Sequence, residues 1–244
     1  MGDDPRAEHR REAIRSHWEA SQAEVGGAWQ QKRRLAAAMR LVIERLVVSN
    51  APEEELRSAA LQLERYAEHL RTHPRLRHFQ GYAESANAGD VGAFFDQSPL
   101  IGLANPLAPP VRLAKTGERT AEGRVRFGSA YEGPPGCVHG GFVAAAFDEV
   151  LGFTQSLGGN PGFTGTLTVR YRVPTPLHTD LRFEGQIDGV ERRKTFASGR
   201  VFAGETLCAE ADGIFVAARP EKFQHLLEER ARLEASRGRG DEDL

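Results

Sequence analysis

The chain has 244 residues, of which 40% are hydrophobic and 27% are charged, and its formal net charge is −2. This balance is typical of a folded globular protein, and it argues against a disordered chain and against a basic nucleic-acid-binding surface. The N-terminal residues are charged and lack an apolar segment, and no run of about 18 apolar residues occurs. We therefore expect a cytoplasmic protein with no membrane span and no nucleic-acid partner.

Helices are predicted before residue 75. Within 29–48, apolar residues recur at spacings of three and four and form one face of a helix. The segment 49–55 combines cap residues, a proline and three glutamates, which indicates a helix stop and restart before a second helix of the same pattern. We interpret 1–75 as a helical hairpin extension and 76–110 as a connector with a short helix or turn near 91–96.

Strand-like alternation begins at residue 111. The segment 111–127 reads as a β-hairpin, and the almost wholly apolar segment 141–157 reads as a buried helix. Four more strands are predicted at 163–173, 180–189, 193–203 and 206–218, and a C-terminal helix and tail at 219–244. An antiparallel sheet wrapped around one central helix accounts for this order, so the predicted fold class is α+β with the sheet domain at 111–218.

A Gly-rich turn leads into the central helix at His139-Gly140-Gly141. Unpaired amide N–H groups and the helix dipole at such a start favour an oxyanion or a polarised carbonyl. Glycine at both positions lets a ligand approach the backbone closely. Further along the helix, Asp148 and Glu149 interrupt the apolar sequence, and a half-buried carboxylate has the raised pKa that suits a general base near neutral pH.

The residues alone leave two alternatives open. The two acids could occupy a solvent-facing edge of the helix, and His139 could be a structural hydrogen-bonding residue rather than a catalytic one. A metal site is not indicated, because His78 and His178 lie in separate elements without ligand spacing. The sequence also lacks the Gly-x-Ser-x-Gly segment of serine hydrolases and the glycine patterns of phosphate-binding and dinucleotide-binding loops.

The His139-Gly140-Gly141 motif, followed nine residues after the histidine by Asp148, resembles hotdog-fold acyl-CoA thioesterases of the phenylacetate-pathway and human thioesterase-superfamily type. Downstream, 164–176 resembles the third strand of that family and its proline turn, and 190–196 resembles the next turn and strand. The resemblance covers about residues 110–218.

The resemblance implies a hotdog fold and the hydrolysis of an acyl-CoA or related thioester to a free acid and a thiol. It implies a homodimer with sites between the protomers, often paired further into a tetramer. No cofactor is expected, since CoA is part of the substrate, and no metal. A different class of function is a hotdog domain that binds acyl-CoA or another acyl ligand without turnover, with a helical region that binds a partner.

The resemblance also implies roles for individual residues. Asp148 acts as the base for water or as the nucleophile, with Glu149 beside it as the other candidate acid. The Gly141 amide polarises the thioester carbonyl, and Gly140 contacts the substrate beside it. His139 orients the loop or the thioester, and Thr164 reaches the site from the partner chain. Contacts with the phosphates and nucleotide of CoA are implied for Arg170, Arg172, Arg193 and Lys194, although ordinary solvated strand faces would carry the same residues.

Overall fold

The computed structural model describes residues 27–74, 96–159 and 162–217, together with residues 225, 228, 229 and 232. Helix α1 spans Gly27–Leu46, α2 spans Glu53–Arg71 and α3 spans Gly140–Ser156, and a short 3-10 helix spans Ser129–Tyr131. The strands are β1 (Arg112–Lys115), β2 (Thr120–Arg126), β3 (Gly162–Tyr171), β4 (Asp180–Glu191), β5 (Lys194–Ala203) and β6 (Thr206–Ala217). The predicted short helix near 91–96 and the predicted C-terminal helix lie almost wholly outside the described residues.

The strands form one antiparallel sheet in the order β1-β2-β4-β5-β6-β3. Helix α3 contacts all six strands. Its Phe147, Val150 and Leu151 are fully buried in the core. The predicted α+β architecture, a hotdog fold in which an antiparallel sheet wraps around a central helix, is therefore confirmed.

Two glycines allow the sheet to bend closely around α3. A Cβ atom at Gly185 would lie 2.3 Å from the Oγ1 atom of Thr154 on the helix. A Cβ atom at Gly199 would lie 3.1 Å from the Cδ2 atom of Leu151. Because glycine in a strand permits this close approach of backbone to a neighbouring element, these positions set how tightly the sheet covers the helix.

Helix α1 docks against the sheet domain through a mainly polar face. Trp29 and Arg33 donate hydrogen bonds from Nε1 and Nε to the carboxylate of Asp96, whose side chain is buried. Further along the same face, Ala36 is buried and Arg40 donates to two main-chain carbonyl oxygens of the segment before β1. The docking of α1 therefore depends mostly on hydrogen bonds and ion pairs.

The apolar faces of α1 and α2 are left exposed. No residue of α2 is buried. The exposed side chains include Met39, Val42, Ile43, Leu46, Leu56, Leu63 and Leu70. Both predicted helices are present, and α1 contacts the domain with a different face. Their arrangement as a helical hairpin stays a prediction. No helix among the described residues is long and apolar enough to cross a membrane.

Candidate active site

The start of α3 is organised by His139, which is the N-cap residue of the helix. Its Nδ1 atom accepts a hydrogen bond from the Gly141 amide at 3.0 Å. This bond occupies the amide to which the sequence assigned the thioester carbonyl, so that role for Gly141 stays a prediction and would require the bond to open. Among the described residues, no acceptor is seen for the Gly140 N–H, which makes it the open donor at the helix start.

Two tyrosines hold this helix start in place. The main-chain oxygen of Tyr131 accepts a hydrogen bond from the His139 amide at 2.8 Å. The Tyr131 ring also packs edge-on against Phe142, with ring centroids 4.8 Å apart. From β3, the Tyr171 hydroxyl donates to the main-chain oxygen of Gly140 at 2.7 Å. The orientation of His139 and Gly140 is therefore fixed from both the preceding loop and the sheet.

Neither tyrosine was predicted as a site residue. The alternation of β3 could have indicated Tyr171, because Leu167 and Val169 at the preceding odd positions pack against the core. No such signal exists for Tyr131, whose contact with the histidine is made by a main-chain atom at the end of a short 3-10 helix.

Asp148 lies two helical turns further along α3 and is exposed. Its Oδ1 atom accepts a hydrogen bond from the Oγ1 hydroxyl of Thr164 at 2.7 Å. The contact is made within one chain, whereas the resemblance implies that Thr164 acts from the partner chain, and that role stays a prediction. The bond holds one oxygen of the carboxylate and leaves the other open to a ligand.

A β-bulge turns Thr164 toward α3. Thr164 lies opposite the buried Phe215 of β6, and the register shifts before Thr166, which lies opposite Ile214. Residues directly opposite each other in a sheet point to the same face. The extra residue, Gly165, therefore places Thr164 on the α3 face, whereas uninterrupted alternation would have turned it to the outer face.

Glu149 is the second acid at this point of α3, and its side chain is half-buried. Burial, and then the negative charge of Asp148, raise the pKa of Glu149 to about 7. Adjacent helical residues point about 100° apart, so the two carboxylates face different surroundings. The fold places the Thr164 hydroxyl against the Asp148 carboxylate, and it disfavours the charged form of Glu149.

The four basic residues divide into two groups. Arg170 pairs with Asp212, and Arg172 pairs with Glu210 through its Nη2 atom at 2.6 Å. These side chains lie on the outer face of the sheet and line a groove of about 750 Å³ whose lining does not include Asp148. Contact of these two arginines with CoA stays a prediction, and in this structure both are engaged by carboxylates.

Arg193 and Lys194 lie at the end of the sheet that holds Thr164. Arg193 donates from Nε and Nη2 to the main-chain oxygen of the last residue of β6, at 3.1 and 2.6 Å. Lys194 is opposite Val216, which is opposite Phe163, the residue before Thr164. Two strand spacings, about 10 Å, therefore separate Lys194 from the Thr164 end of β3.

An antiparallel sheet around a helix whose N-terminus presents an open amide defines a hotdog-fold domain with a site suited to a carbonyl group. A family model described as Thioesterase superfamily matches residues 135–210. The solved structure of a thioesterase superfamily protein superposes with a TM-score of 0.69 and 32% sequence identity, over 80% of this chain and 97% of that one. The chain belongs to the thioesterase superfamily.

Two curated relatives carry more specific names. Acyl-coenzyme A thioesterase THEM4 of Bos taurus is 36% identical over 97 residues, which are 39% of this chain and 40% of the relative. Acyl-coenzyme A thioesterase THEM5 of Homo sapiens is 33% identical over 91 residues, or 36% of this chain and 37% of the relative. The matched segment thus spans about 40% of the length of these curated relatives.

Proposed function

We propose that this protein hydrolyses an acyl-CoA thioester to a free acid and CoA. The observation that carries the proposal is that one helix presents the Gly140 amide at its N-terminus and, further along, the Asp148 carboxylate held by Thr164. The first group suits the carbonyl oxygen of a thioester and the second suits the activation of water. The names of the curated relatives support acyl-CoA as the substrate class.

The distance between these two groups favours a site built from two copies of the chain. An α-helix rises about 12 Å over the eight residues from Gly140 to Asp148. An amide donor and a carboxylate that contact the same carbonyl group lie within roughly 7 Å of each other. We therefore place the Gly140 amide of one copy opposite the Asp148 carboxylate of another.

Strand β3 offers the surface for this pairing. Within the described parts of the chain it is an edge strand that pairs with β6 alone. It is 10 residues long, and most of its residues are exposed. Phe163 and Tyr171 are each 53% exposed. A long exposed edge with apolar side chains is a surface on which a second strand can pair, so a homodimer joined along β3 would cover it.

In the proposed mechanism, the thioester carbonyl oxygen accepts a hydrogen bond from the Gly140 amide. A water molecule attacks the carbonyl carbon while the free oxygen of Asp148 takes its proton, and the Thr164 hydroxyl keeps the carboxylate in place. The carbon–sulfur bond then breaks, and the CoA thiolate takes the proton back. In the other route, Asp148 attacks the carbonyl carbon directly, and the carbon–sulfur bond breaks with release of the CoA thiolate. Water then hydrolyses the resulting mixed anhydride to the free acid and the Asp148 carboxylate, and the remaining proton goes to the thiolate. A single well-placed donor to the developing oxyanion contributes about 10²–10³-fold to the rate.

We propose Lys194 as the first of the basic residues to meet a CoA phosphate. It lies at the Thr164 end of the sheet, and no ion pair of its ammonium group is seen among the described residues. Arg170 and Arg172 are held by carboxylates that phosphate would have to displace. Arg193 is less available for a phosphate than Lys194 and more available than the two paired arginines, since it already donates to a main-chain oxygen.

The test is the release of free thiol from a panel of acyl-CoA substrates. Asp148→Asn should lower kcat by about 100-fold or more, the ordinary scale of a lost general base. The matched control is Glu149→Gln, which removes the neighbouring acid and should keep kcat within about threefold of wild type. If Asp148→Asn keeps wild-type turnover, or if Glu149→Gln loses it instead, the assignment of the base is wrong.

A binding module without turnover is the second candidate. The observation that favours it is the exposed apolar face of α2, which suits a helical region that binds a partner. Thermal stabilisation of the wild-type protein by CoA, without thiol release from any substrate of the panel, would support this candidate over hydrolysis.

A further inference from the structure

Glu44 connects helix α1 to the loop that precedes the candidate site. Its Oε1 atom accepts a hydrogen bond from the Ser129 amide at 2.8 Å, and its Oε2 atom accepts one from the Ala130 amide at 3.2 Å. These amides open the 3-10 helix Ser129–Tyr131. The preceding residue is Gly128, where a Cβ atom would lie 2.3 Å from the Oε2 atom of Glu44, so glycine makes room for the carboxylate.

The contact keeps Glu44 in its charged form. Burial raises the pKa of Glu44. A larger opposite effect comes from the amide hydrogen bonds of Ser129 and Ala130, from the Ser129 hydroxyl and from the nearby His178, so the pKa lies below its ordinary value. Hydrogen bonds to an ionised acceptor are stronger than those between neutral groups. The carboxylate is therefore a firm anchor for the 3-10 helix.

The 3-10 helix ends at Tyr131, and Tyr131 contacts the start of α3 in two ways. Its main-chain oxygen accepts from the His139 amide at 2.8 Å, and its ring packs against Phe142 in the first turn of α3. His139 in turn accepts from the Gly141 amide and leaves the Gly140 amide open. A continuous set of contacts thus runs from Glu44 to the group that would hold the thioester carbonyl.

We propose that Glu44 is a positioning residue for the carbonyl site: it holds the 3-10 helix, and through Tyr131 it sets the orientation of His139 and the Gly140 amide. The inference rests on the proposed function. It gives the helical extension a part in turnover, since α1 supplies a side chain on which the geometry of the site depends.

The test compares Glu44→Ala and Glu44→Gln with Glu53→Ala and Glu53→Gln. Glu53 is the matched control, because it is an exposed carboxylate of α2 whose contact is with Arg57 on the same helix. Three quantities are measured: the hydrogen exchange of main-chain amides, kcat and KM for thiol release, and the midpoint of thermal unfolding.

In Glu44→Ala, the amides of Ser129, Ala130 and His139 should exchange at least about 10-fold faster, while those of β4 and β5 keep their rates. A carbonyl site displaced by a fraction of an ångström loses transition-state contacts, so kcat should fall about 10-fold with KM changed less than about threefold. Glu44→Gln retains an oxygen that accepts a hydrogen bond from one amide. Its loss in the logarithm of kcat should therefore be about half that of Glu44→Ala. The Glu53 variants should match wild type in all three quantities.

Two results would overturn the proposal. One is faster exchange at Ser129 and Ala130 with unchanged exchange at His139 and unchanged kcat. The other is a loss of activity that follows only a general loss of stability, with faster exchange throughout the sheet in both Glu44 variants. If wild type releases no thiol from any substrate, the proposed function has failed, and the exchange of the His139 amide still decides whether Glu44 positions this loop.

Discussion

Glu149 offers a quantitative test of how α3 is buried. Its pKa is raised from 4.5 to about 7, first by burial and then by the charge of Asp148. The folded protein therefore holds a proton that the unfolded chain releases between these two pH values. Below pH 4.5, Glu149 is protonated in both states and does not lower the free energy of unfolding. This free energy falls as the pH rises from 4.5 to about 7, and above pH 7 the whole cost of burying the charged Glu149 is present.

The size of the effect follows from the difference between the two pKa values. Each unit corresponds to 1.36 kcal/mol, so the whole difference amounts to about 3 kcal/mol, of which about 2.5 kcal/mol falls between pH 5 and pH 8. Glu149→Gln keeps the shape of the side chain and removes its charge. We expect the stability of Glu149→Gln relative to wild type to rise by about 2.5 kcal/mol from pH 5 to pH 8.

The assay is urea unfolding followed by circular dichroism at four pH values, with equal m-values required of all variants. Glu53→Gln is the control for the loss of a carboxylate at an exposed position. Asp148→Asn removes the second cause of the raised pKa, so its stability should fall less steeply with pH than that of wild type. A stability difference between Glu149→Gln and wild type that is constant with pH would refute the reasoning.

Two further predictions concern the packing of the domain. Gly185→Ala should destabilise the fold by about 1–3 kcal/mol in urea unfolding, because the added Cβ atom meets Thr154, whereas Gly189→Ala, with no atom within 4 Å of the added Cβ, should change stability by less than about 0.5 kcal/mol. Asp96→Ala should lower the free energy of unfolding by about 3 kcal/mol in the same measurement, because it leaves the half-buried Arg33 guanidinium without its carboxylate. A decrease below about 1 kcal/mol would show that the ion pair does not anchor α1.

Periodicity predicted the sheet domain well, because its strands and α3 bury the faces that their patterns mark as apolar. It predicted α1 as a helix but did not predict its docking face, since the rule assumes that the apolar face of a helix is the face that docks. In α1 the polar contacts with the domain are made by Trp29, Arg33, Arg40 and Glu44. Hydrogen bonds to a buried carboxylate, to carbonyl oxygens and to loop amides leave no periodic signal in the sequence.

The site was predictable to the extent that it depends on one helix. The spacing of His139 and Asp148 already places both on α3, and the glycines mark its start. The hydrogen bond from the Gly141 amide to the His139 ring, however, depends on a rotamer of the histidine. The contact of Thr164 with Asp148 depends on a bulge at Gly165. One extra residue in β3 moves the preceding residues of the strand to the opposite face of the sheet.

The spacing between the two halves of the site leads to the last prediction. If the Gly140 amide and Asp148 act on the same thioester from different copies, two inactive variants should restore each other. Gly140→Pro removes the amide hydrogen at the first helical position, where proline is well tolerated, and Asp148→Asn removes the base. Each variant alone should lose most of its activity.

After the two variants are unfolded together and refolded at equal amounts, half of the dimers are mixed, and each mixed dimer has one intact site of two. Activity should then return to about a quarter of wild type. Full-length chains of both variants are used, and a mixture that is never unfolded serves as the control for slow exchange. If both groups acted within one chain, no mixed dimer would contain an intact site, and the refolded mixture would remain as inactive as its parts.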